Sequence, residues 1–395
     1  MVVFEYKLAG KPAQFVAIDE AIRTMQFVRN KAIRFWVDTK GAGKYDLSAL
    51  SKTLAEEFDF ARKLNSQARQ AACERAWAAI TRFFEKCKKK VAGKKGFPRF
   101  QKDCRSVEYK TTGWKLVNDG TRIVFTDGHG IGTLKLVGTR ILAGLEDRIR
   151  RVRIIRRADG YYTQFVIDAE RKVEPCYTGK MVGLDVGLTR FLTDSNGETV
   201  ENPRLLRKSE RAIKRLGRRV SRKVKGSKNR AKARRKLARK HLKVQRQRND
   251  FAMKLARCVI RSNDLVAIED LQVRNMVKNR HLSKSISDAG WGQFRAKLSY
   301  YAGLFGKVLV AVKPHYTSVN CSACGKAVKK SLSTRTHVCP CGCVLDRDHN
   351  AAINILNLGV ACLARNTTAG HAESNAPGES ALCLELETAQ GKASR

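Results

Sequence analysis

Three acidic residues stand at places where a folded core would bring their carboxylates together. Asp185 ends the apolar segment MVGL, and Glu269 ends the apolar segment LVAI in the same way. Asp348 lies in LDRDHNAAINIL, just ahead of a segment with helical spacing from about residue 350 to residue 358. Adjacent strands can present their terminal residues at one sheet edge, and the start of a helix favours a carboxylate. The pattern predicts that these three acids share one site.

Three converging carboxylates have the chemistry of a divalent-metal site. Hydrolysis of a phosphodiester needs an ionised nucleophile and a stabilised leaving oxygen, and two cations about 3.5 to 4 Å apart supply both. Mg²⁺ (or Mn²⁺) needs few protein carboxylates because it keeps much of its water. Each acid alone also fits a turn or helix-cap residue. Two neighbours are expected outside the site, Asp346 as a cap or partner of Arg347 and Asp270 as a solvent-facing residue.

Five of the twelve cysteines fall between residues 321 and 343, in CSACG and CPCGC. This spacing is typical of a zinc ribbon rather than of a dispersed disulfide framework. The predicted zinc ligands are Cys321, Cys324, Cys339 and either Cys341 or Cys343. Cys341 is preferred, because Gly342 after it repeats the Cys-Gly turn at Cys324. A closed four-thiolate site leaves no position for water, so we expect it to shape the loop that carries Asp348.

The formal net charge of +43, from 79 Lys and Arg against 36 Asp and Glu, calls for a polyanionic partner. Nucleic acid is the expected partner. An anionic membrane is disfavoured, because the longest basic segment has too few large apolar residues to bury a face in lipid. No run of about 18 apolar residues and no signal-peptide order is present, which predicts a cytoplasmic protein.

The densest basic segment runs from residue 204 to residue 248, where about half of the residues are Lys or Arg and the single acid is Glu210. Such a segment repels itself, so we expect it to be helical only when phosphate is near. Predicted phosphate contacts, each with a solvated helix face as the simpler alternative, are Arg218, Arg219, Arg222, Arg234 and Arg235. Tyr316 is a candidate for base stacking; for Trp291, core packing is favoured over stacking.

The periodicity divides the chain into segments of different character. The first residues, VVFEYKLA, alternate like a strand, a helical pattern follows, and a β-rich pattern takes over after a Gly, Pro and Lys-rich loop at residues 89–102. Because the first strand is isolated, we expect it to pair back into the later sheet, with the helical part as an insertion. Strands and helices then alternate over 181–358, which predicts an α/β core.

Five segments resemble the successive motifs of the TnpB family, the RNA-guided nucleases of bacterial insertion elements that are related to type V CRISPR effectors. They are GLDVGLTRFLT, IEDLQVRNM, SISDAGWGQFR, YTSVNCSACG and DRDHNAAINIL. The resemblance extends over residues 1 to about 360 and is most specific in the C-terminal half. It implies a multidomain α+β fold in which an RNase H-like (RuvC) α/β nuclease domain carries a zinc-ribbon insertion, beside a β-rich wedge domain and a helical recognition lobe.

On this resemblance the first wedge strand lies at 1–15, the recognition lobe at 16–100, the wedge domain at 101–180 and the nuclease domain at 181–358. The nuclease domain would contain a basic helical segment at 204–250, with the bridging helix, and the zinc ribbon at 314–347; the tail, 359–395, is expected to be disordered. Asp185, Glu269 and Asp348 match the three catalytic positions of the family. This sequence departs from the family pattern in the second cysteine pair: one residue separates Cys339 from Cys341, where the family commonly has two.

The resemblance further implies a protein that binds a guide RNA from its own element, recognises a short flanking DNA motif and cleaves the target at one RuvC centre. Inactive relatives that act as RNA-guided repressors usually lack one or more of the three acids, all of which are present here. A guide-independent transposase accessory protein and a binder of RNA or DNA without catalysis remain alternatives. The oligomeric state is open, with a monomer favoured, and DNA binding would place the protein at the nucleoid.

Overall fold

The computed structural model describes residues 1–90, 93–171, 173–174, 176–331 and 334–369. The described residues form two compact units, one up to Arg171 and the other after it. Among the helices of the described residues, none combines the length and the apolar character that crossing a bilayer requires.

The first unit begins with a strand, continues through helices and returns to strands. Its elements are β1 (Val2–Ala9), α1 (Pro12–Asp38), α2 (Lys44–Glu57), α3 (Asp59–Arg62), α4 (Ser66–Lys88), β2 (Ser106–Tyr109), β3 (Trp114–Val117), β4 (Arg122–Phe125), β5 (Gly132–Val137), β6 (Ile149–Arg157) and β7 (Gly160–Ile167). The helices bury apolar residues such as Ile22 and Met25 in the same core as Val107 and Phe165 of the sheet.

The seven strands of this unit form one antiparallel sheet in the order β2-β6-β7-β1-β5-β4-β3. The first strand of the chain lies in the middle, with Phe4 opposite Phe165 and Leu8 opposite Leu136. This pairing confirms that β1 returns to the later sheet, so the helices α1 to α4 interrupt the sheet in sequence.

The second unit alternates strands and helices. Its elements are β8 (Met181–Asp185), β9 (Arg190–Asp194), β10 (Thr199–Glu201), α5 (Leu205–Ser221), α6 (Lys228–Ser262), β11 (Leu265–Glu269), α7 (Val273–Met276), α8 (Ser283–Ala289), α9 (Trp291–Phe305), β12 (Val308–Val312), β13 (Thr336–Val338), β14 (Val344–Asp346) and α10 (Arg347–Ala369). Its main sheet has the order β10-β9-β8-β11-β12. Strands β8, β11 and β12 are parallel, β9 runs antiparallel to β8, and β10 runs antiparallel to β9. This mixed sheet with its helices confirms the predicted α/β core.

The two faces of this sheet bury different helices. Val182, Leu184, Val266 and Ile268 point to a core that α6 and α9 complete. The opposite face is covered by α10, and Gly183 shows how closely. A Cβ atom at Gly183 would lie 2.1 Å from the carbonyl oxygen of Ala352, so only glycine permits the helix to approach.

Helix α10 is longer than the sequence predicted. Residues 359–369, assigned to a disordered tail, continue the helix; residues 370–395 lie outside the described part of the chain. The extension has a packing reason, because Gly359 lies directly against Ala267 and Leu363 packs on the same sheet face. The tail assignment is therefore wrong for its first eleven residues.

The boundary predicted at residue 250 is also not an element boundary. Helix α6 runs without interruption from the basic segment through to Ser262. No Gly or Pro occurs between Lys228 and Ser262, so nothing in the backbone ends the helix when the composition changes. Its last turns bury Ala252, Ala256 and Ile260 against the sheet.

Candidate active site

Asp185 and Glu269 end two neighbouring parallel strands at the same sheet edge. The register pairs Leu184 with Ile268, so the two acids occupy the next position on each strand. Side chains alternate along a strand, and Gly183 and Ala267, two residues earlier, both face α10. Asp185 and Glu269 therefore belong to the face of the sheet that α10 covers.

Asp348 lies in the first turn of α10, one helical turn before Ala352, which contacts Gly183. Asp346 caps this helix: its Oδ1 atom accepts the backbone N–H of Asp348 at 2.9 Å. The capping role predicted for Asp346 is thus confirmed. Its Oδ2 atom also pairs with Arg190 at 3.3 Å, a partner that the sequence did not indicate.

Asp185 interacts electrostatically with the other two acids. Burial, together with the negative charges of Glu269 and Asp348, raises the pKa of Asp185 to about 8, against an opposing effect of Arg347. Burial also raises the pKa of Glu269, although a hydrogen bond from Thr317 opposes this shift. A carboxylate whose ionisation two neighbouring acids oppose belongs to a site that a cation would stabilise.

The carboxylates do not form a closed cage. In the described residues, three or more ligand atoms lie within 4.8 Å of one another only in two overlapping groups of side chains. One group consists of cysteines, and the other consists of cysteines and a histidine. The acids are outside these groups. A pair of metal ions does not require such closeness, because ligands on opposite sides of ions about 3.5 to 4 Å apart are themselves well separated.

Asp270, the other neighbour, differs from the expectation. It is half-buried and forms an ion pair with Arg295 of α9, rather than simply facing solvent. This pair borders a cavity of about 450 Å³ that opens beside Glu269. Val186, Ile268 and Trp291 supply apolar walls of the cavity. Trp291 is 6% exposed and belongs to the core, as the favoured interpretation had it.

Thr317 is a residue of the site that the sequence did not reveal. Its hydroxyl donates to Oε1 of Glu269 at 2.6 Å, and the side chain is almost completely buried. From α10, the Asn354 amide donates to the carbonyl oxygens of Thr317 and Asn320, both at 2.8 Å. The one available signal was the spacing of Asn350 and Asn354, four residues apart on a single helix face.

The cysteine cluster brings together Cys321, Cys324, Cys339 and Cys341, with all four sulfur atoms within 4.8 Å of one another. The Sγ atoms of Cys321 and Cys341 are 3.7 Å apart, and those of Cys324 and Cys339 are 3.6 Å apart. Cys343 belongs instead to an overlapping group with Cys321 and His337. The geometry therefore groups Cys341 with the three firmer candidates.

Both Cys-Gly turns have the conformation that a zinc knuckle needs. Gly325 has φ +75° and Gly342 has φ +90°, values that favour glycine. The backbone N–H of Cys324 is the main influence that lowers the pKa of the Cys321 thiol to about 5. Tetrahedral zinc with Zn–S bonds of about 2.3 Å places its sulfurs roughly 3.8 Å apart, so the observed spacings fit the ion.

The basic segment forms two helices, α5 and α6, joined at residues 222–227, where Ser227 caps α6. The five arginines predicted to bind phosphate are all exposed, and within the described chain none of them forms an ion pair: Arg218, Arg219, Arg222, Arg234 and Arg235. Tyr316 is also exposed, at 68%. Whether helicity depends on phosphate stays a prediction.

Asp288 organises this region, although no sequence signal singled it out. Its carboxylate accepts the backbone N–H groups of Leu206 and Arg207 at the start of α5, and it pairs with Arg248 of α6 at 2.8 Å. This acid, whose side chain is 8% exposed, thereby joins α5, α6 and α8. Glu210, the one acid of the basic segment, binds Lys214 at 2.9 Å and also Lys284.

Comparison with known proteins places these features in a family. The family OrfB_IS605, described as "Probable transposase", matches residues 164–280, which include Asp185 and Glu269. The "Cas12f1-like, TNB domain" matches residues 291–355, which include the cysteine cluster and Asp348. A protein of Streptomyces pristinaespiralis named "Putative RNA-guided DNA endonuclease" is 32% identical over 91% of this chain and 90% of its own length. The chain belongs to the TnpB family.

Two further likenesses agree with TnpB membership. The "Putative RNA-guided DNA endonuclease InsQ" of Escherichia coli (strain K12) is 30% identical over 78% of each chain. Among solved structures, the protein of the Cas12f1–sgRNA–target DNA complex superposes with a TM-score of 0.53 at 16% identity, over 87% of this TnpB chain and 81% of that chain. At this identity the structural likeness shows a shared fold.

Proposed function

We propose that this TnpB-family protein is an RNA-guided DNA endonuclease that hydrolyses its target at one centre formed by Asp185, Glu269 and Asp348. One observation supports the proposal: Asp185 and Glu269 end neighbouring strands on one face of the sheet, and Asp348 lies in the first turn of the helix that covers this face. The names of the two relatives support the same activity. The presence of all three acids argues against an inactive repressor.

The carboxylates fit Mg²⁺ or Mn²⁺, since hard cations prefer oxygen ligands and relieve repulsion among these half-buried acids. Two such ions would supply an ionised water nucleophile and stabilise the leaving oxygen of the phosphodiester. Asp185, on which the charges of both other acids act, would hold a metal ion together with Glu269 and Asp348. Thr317 donates a hydrogen bond to Glu269, and Asp346 caps the helix that carries Asp348. The cavity beside Glu269 would receive the nucleotide next to the cut.

The domain roles follow the family layout. Residues 1–15 and 101–180 would form the wedge domain, 16–100 the recognition lobe, and 181–358 the RuvC domain with the basic segment 204–250. The ribbon at 314–347 would hold a structural zinc ion through its four grouped thiolates, which cross-links the loop ahead of α10. A guide RNA would select the target by base pairing, while protein contacts read a short flanking DNA motif.

The test is to express the protein together with the end of its own element and to analyse the purified complex. We expect a discrete structured RNA to co-purify and to direct cleavage of plasmids that carry the matching sequence and a flanking motif, in Mg²⁺ but not with chelator. Binding without cleavage under every guide and metal would instead indicate a repressor. Strand joining without any guide would indicate a transposase accessory role. Either result would overturn the proposal.

Exposed arginines of α5 are expected to contribute affinity through phosphate contacts. The triple variant Arg218→Gln, Arg219→Gln, Arg222→Gln should flatten the slope of log K against log salt by about 2 to 3, because each phosphate contact contributes about 0.9 on a duplex. Binding of a guide–target duplex between low and moderate salt measures this slope. The control changes as many exposed cations of the first unit, Lys40, Lys44 and Lys52, to Gln. If both variants have equal slopes, the salt dependence of binding is determined by net charge alone and not by the position of these arginines on α5.

A further inference from the structure

The hydroxyl of Thr317 is placed to determine how Glu269 presents its carboxylate. The terminal torsion of a glutamate is broad, so an unsupported carboxylate samples many orientations. Thr317 donates to Oε1 at 2.6 Å, the short distance typical of a hydroxyl bound to an ionised carboxylate. Thr317 is 5% exposed, so water does not compete freely for this contact. One oxygen of Glu269 is thereby held, and the other is left for a cation.

Thr317 is itself held by the helix that carries Asp348. Asn354 donates to the carbonyl oxygens of Thr317 and Asn320 at 2.8 Å, and Asn350 donates to Asn320 at the same distance. Asn350 is fully buried, and its Oδ1 atom accepts the backbone N–H of Ser322 at 2.9 Å. Ser322 lies between two cysteines of the cluster. Hydrogen bonds thus run without a gap from the first Cys-Gly turn through α10 to Glu269.

We infer that Thr317 is a positioning residue for Glu269, and that Asn350 and Asn354 couple it to the cysteine cluster so that Glu269 and Asp348 are aligned by one helix. The inference rests on the proposed role of Glu269 as a metal ligand. Groups that orient metal ligands typically change metal affinity by about 10- to 100-fold when removed. A purely structural threonine would affect stability without this signature.

The experiment compares two substitutions that differ in the hydroxyl. Thr317→Val keeps the shape and removes the donor, whereas Thr317→Ser keeps the donor. In the guide-bound protein, Thr317→Val should raise the Mn²⁺ concentration for half-maximal cleavage about tenfold or more, while Thr317→Ser stays within about twofold of the wild type. Direct Mn²⁺ binding, measured by titration calorimetry or electron paramagnetic resonance, should shift by the same factor. Thr199→Val, an exposed threonine at the sheet edge, is the matched control.

A double variant tests the coupling. Because Asn354 acts through Thr317, Asn354→Leu should raise the Mn²⁺ requirement in the same direction, and its effect should not add to that of Thr317→Val. Equal Mn²⁺ dependence of Thr317→Val, Thr317→Ser and wild type would overturn the inference, as would equal impairment of both variants. If the proposed function is wrong, the result is different: the wild type either does not bind Mn²⁺ or binds Mn²⁺ that Asp185→Ala does not remove.

Discussion

Replacing Asp185 with alanine is expected to reduce guided DNA cleavage by at least about 10³-fold, since loss of a proposed metal ligand removes several kcal/mol of transition-state stabilisation and each 1.4 kcal/mol is tenfold in rate. Asp185 is the acid whose ionisation both Glu269 and Asp348 oppose, so it lies at the electrostatic centre of the site. Single-turnover cleavage of a matched plasmid at saturating guide RNA measures the effect.

The control for this prediction is Asp270, the neighbouring acid that lies outside the proposed metal site. Asp270 pairs with Arg295, and Asp270→Asn should cost less than about tenfold in rate, because it removes no metal ligand. Binding of guide RNA should be the same for both variants and the wild type. The melting temperature of Asp185→Ala should not fall, because the variant relieves repulsion in the metal-free protein. Full cleavage by Asp185→Ala would remove this residue from the catalytic role.

Loss of a cysteine ligand is the second change with a large expected effect. Cys339→Ser should lower bound zinc from about one ion per chain to a small fraction, because a structural site of four thiolates contributes roughly 10 kcal/mol or more of folding free energy. The ribbon at 314–347 should then become sensitive to protease. Cleavage of DNA should fall with it, since the residues that hold Thr317 and α10 meet the cluster at Ser322.

The two remaining cysteines separate the possible fourth ligands. Cys341 lies in the four-sulfur group, whereas Cys343 lies in the overlapping group with His337. We expect Cys341→Ser to lose zinc in the manner of Cys339→Ser, and Cys343→Ser to retain it, as judged by elemental analysis of the purified protein. Retention by Cys341→Ser together with loss in Cys343→Ser would reverse the assignment. Cys258→Ser is the control for general effects of the substitution, because Cys258 is exposed and lies outside the cysteine cluster.

Local sequence patterns determined the elements and the kinds of residue at the site. An apolar run that ends in an acid predicted that Asp185 and Glu269 would end buried strands, as they do. Alternation predicted β1, and the repeated Cys-Gly pair predicted the two glycine turns at positive φ. These features follow from forces among residues close together in the chain, which a sequence displays directly.

Only the tertiary structure decided how those elements meet. Thr317 and Glu269 are 48 residues apart in the sequence but share a hydrogen bond. Asp288 binds the start of α5 from 82 residues away. Helix α10 extends to Ala369 because Gly359 packs against Ala267. Each contact joins residues that share no local pattern. Their pairing depends on shape and polar satisfaction after the chain has packed, because buried polar groups must find partners wherever the fold provides them.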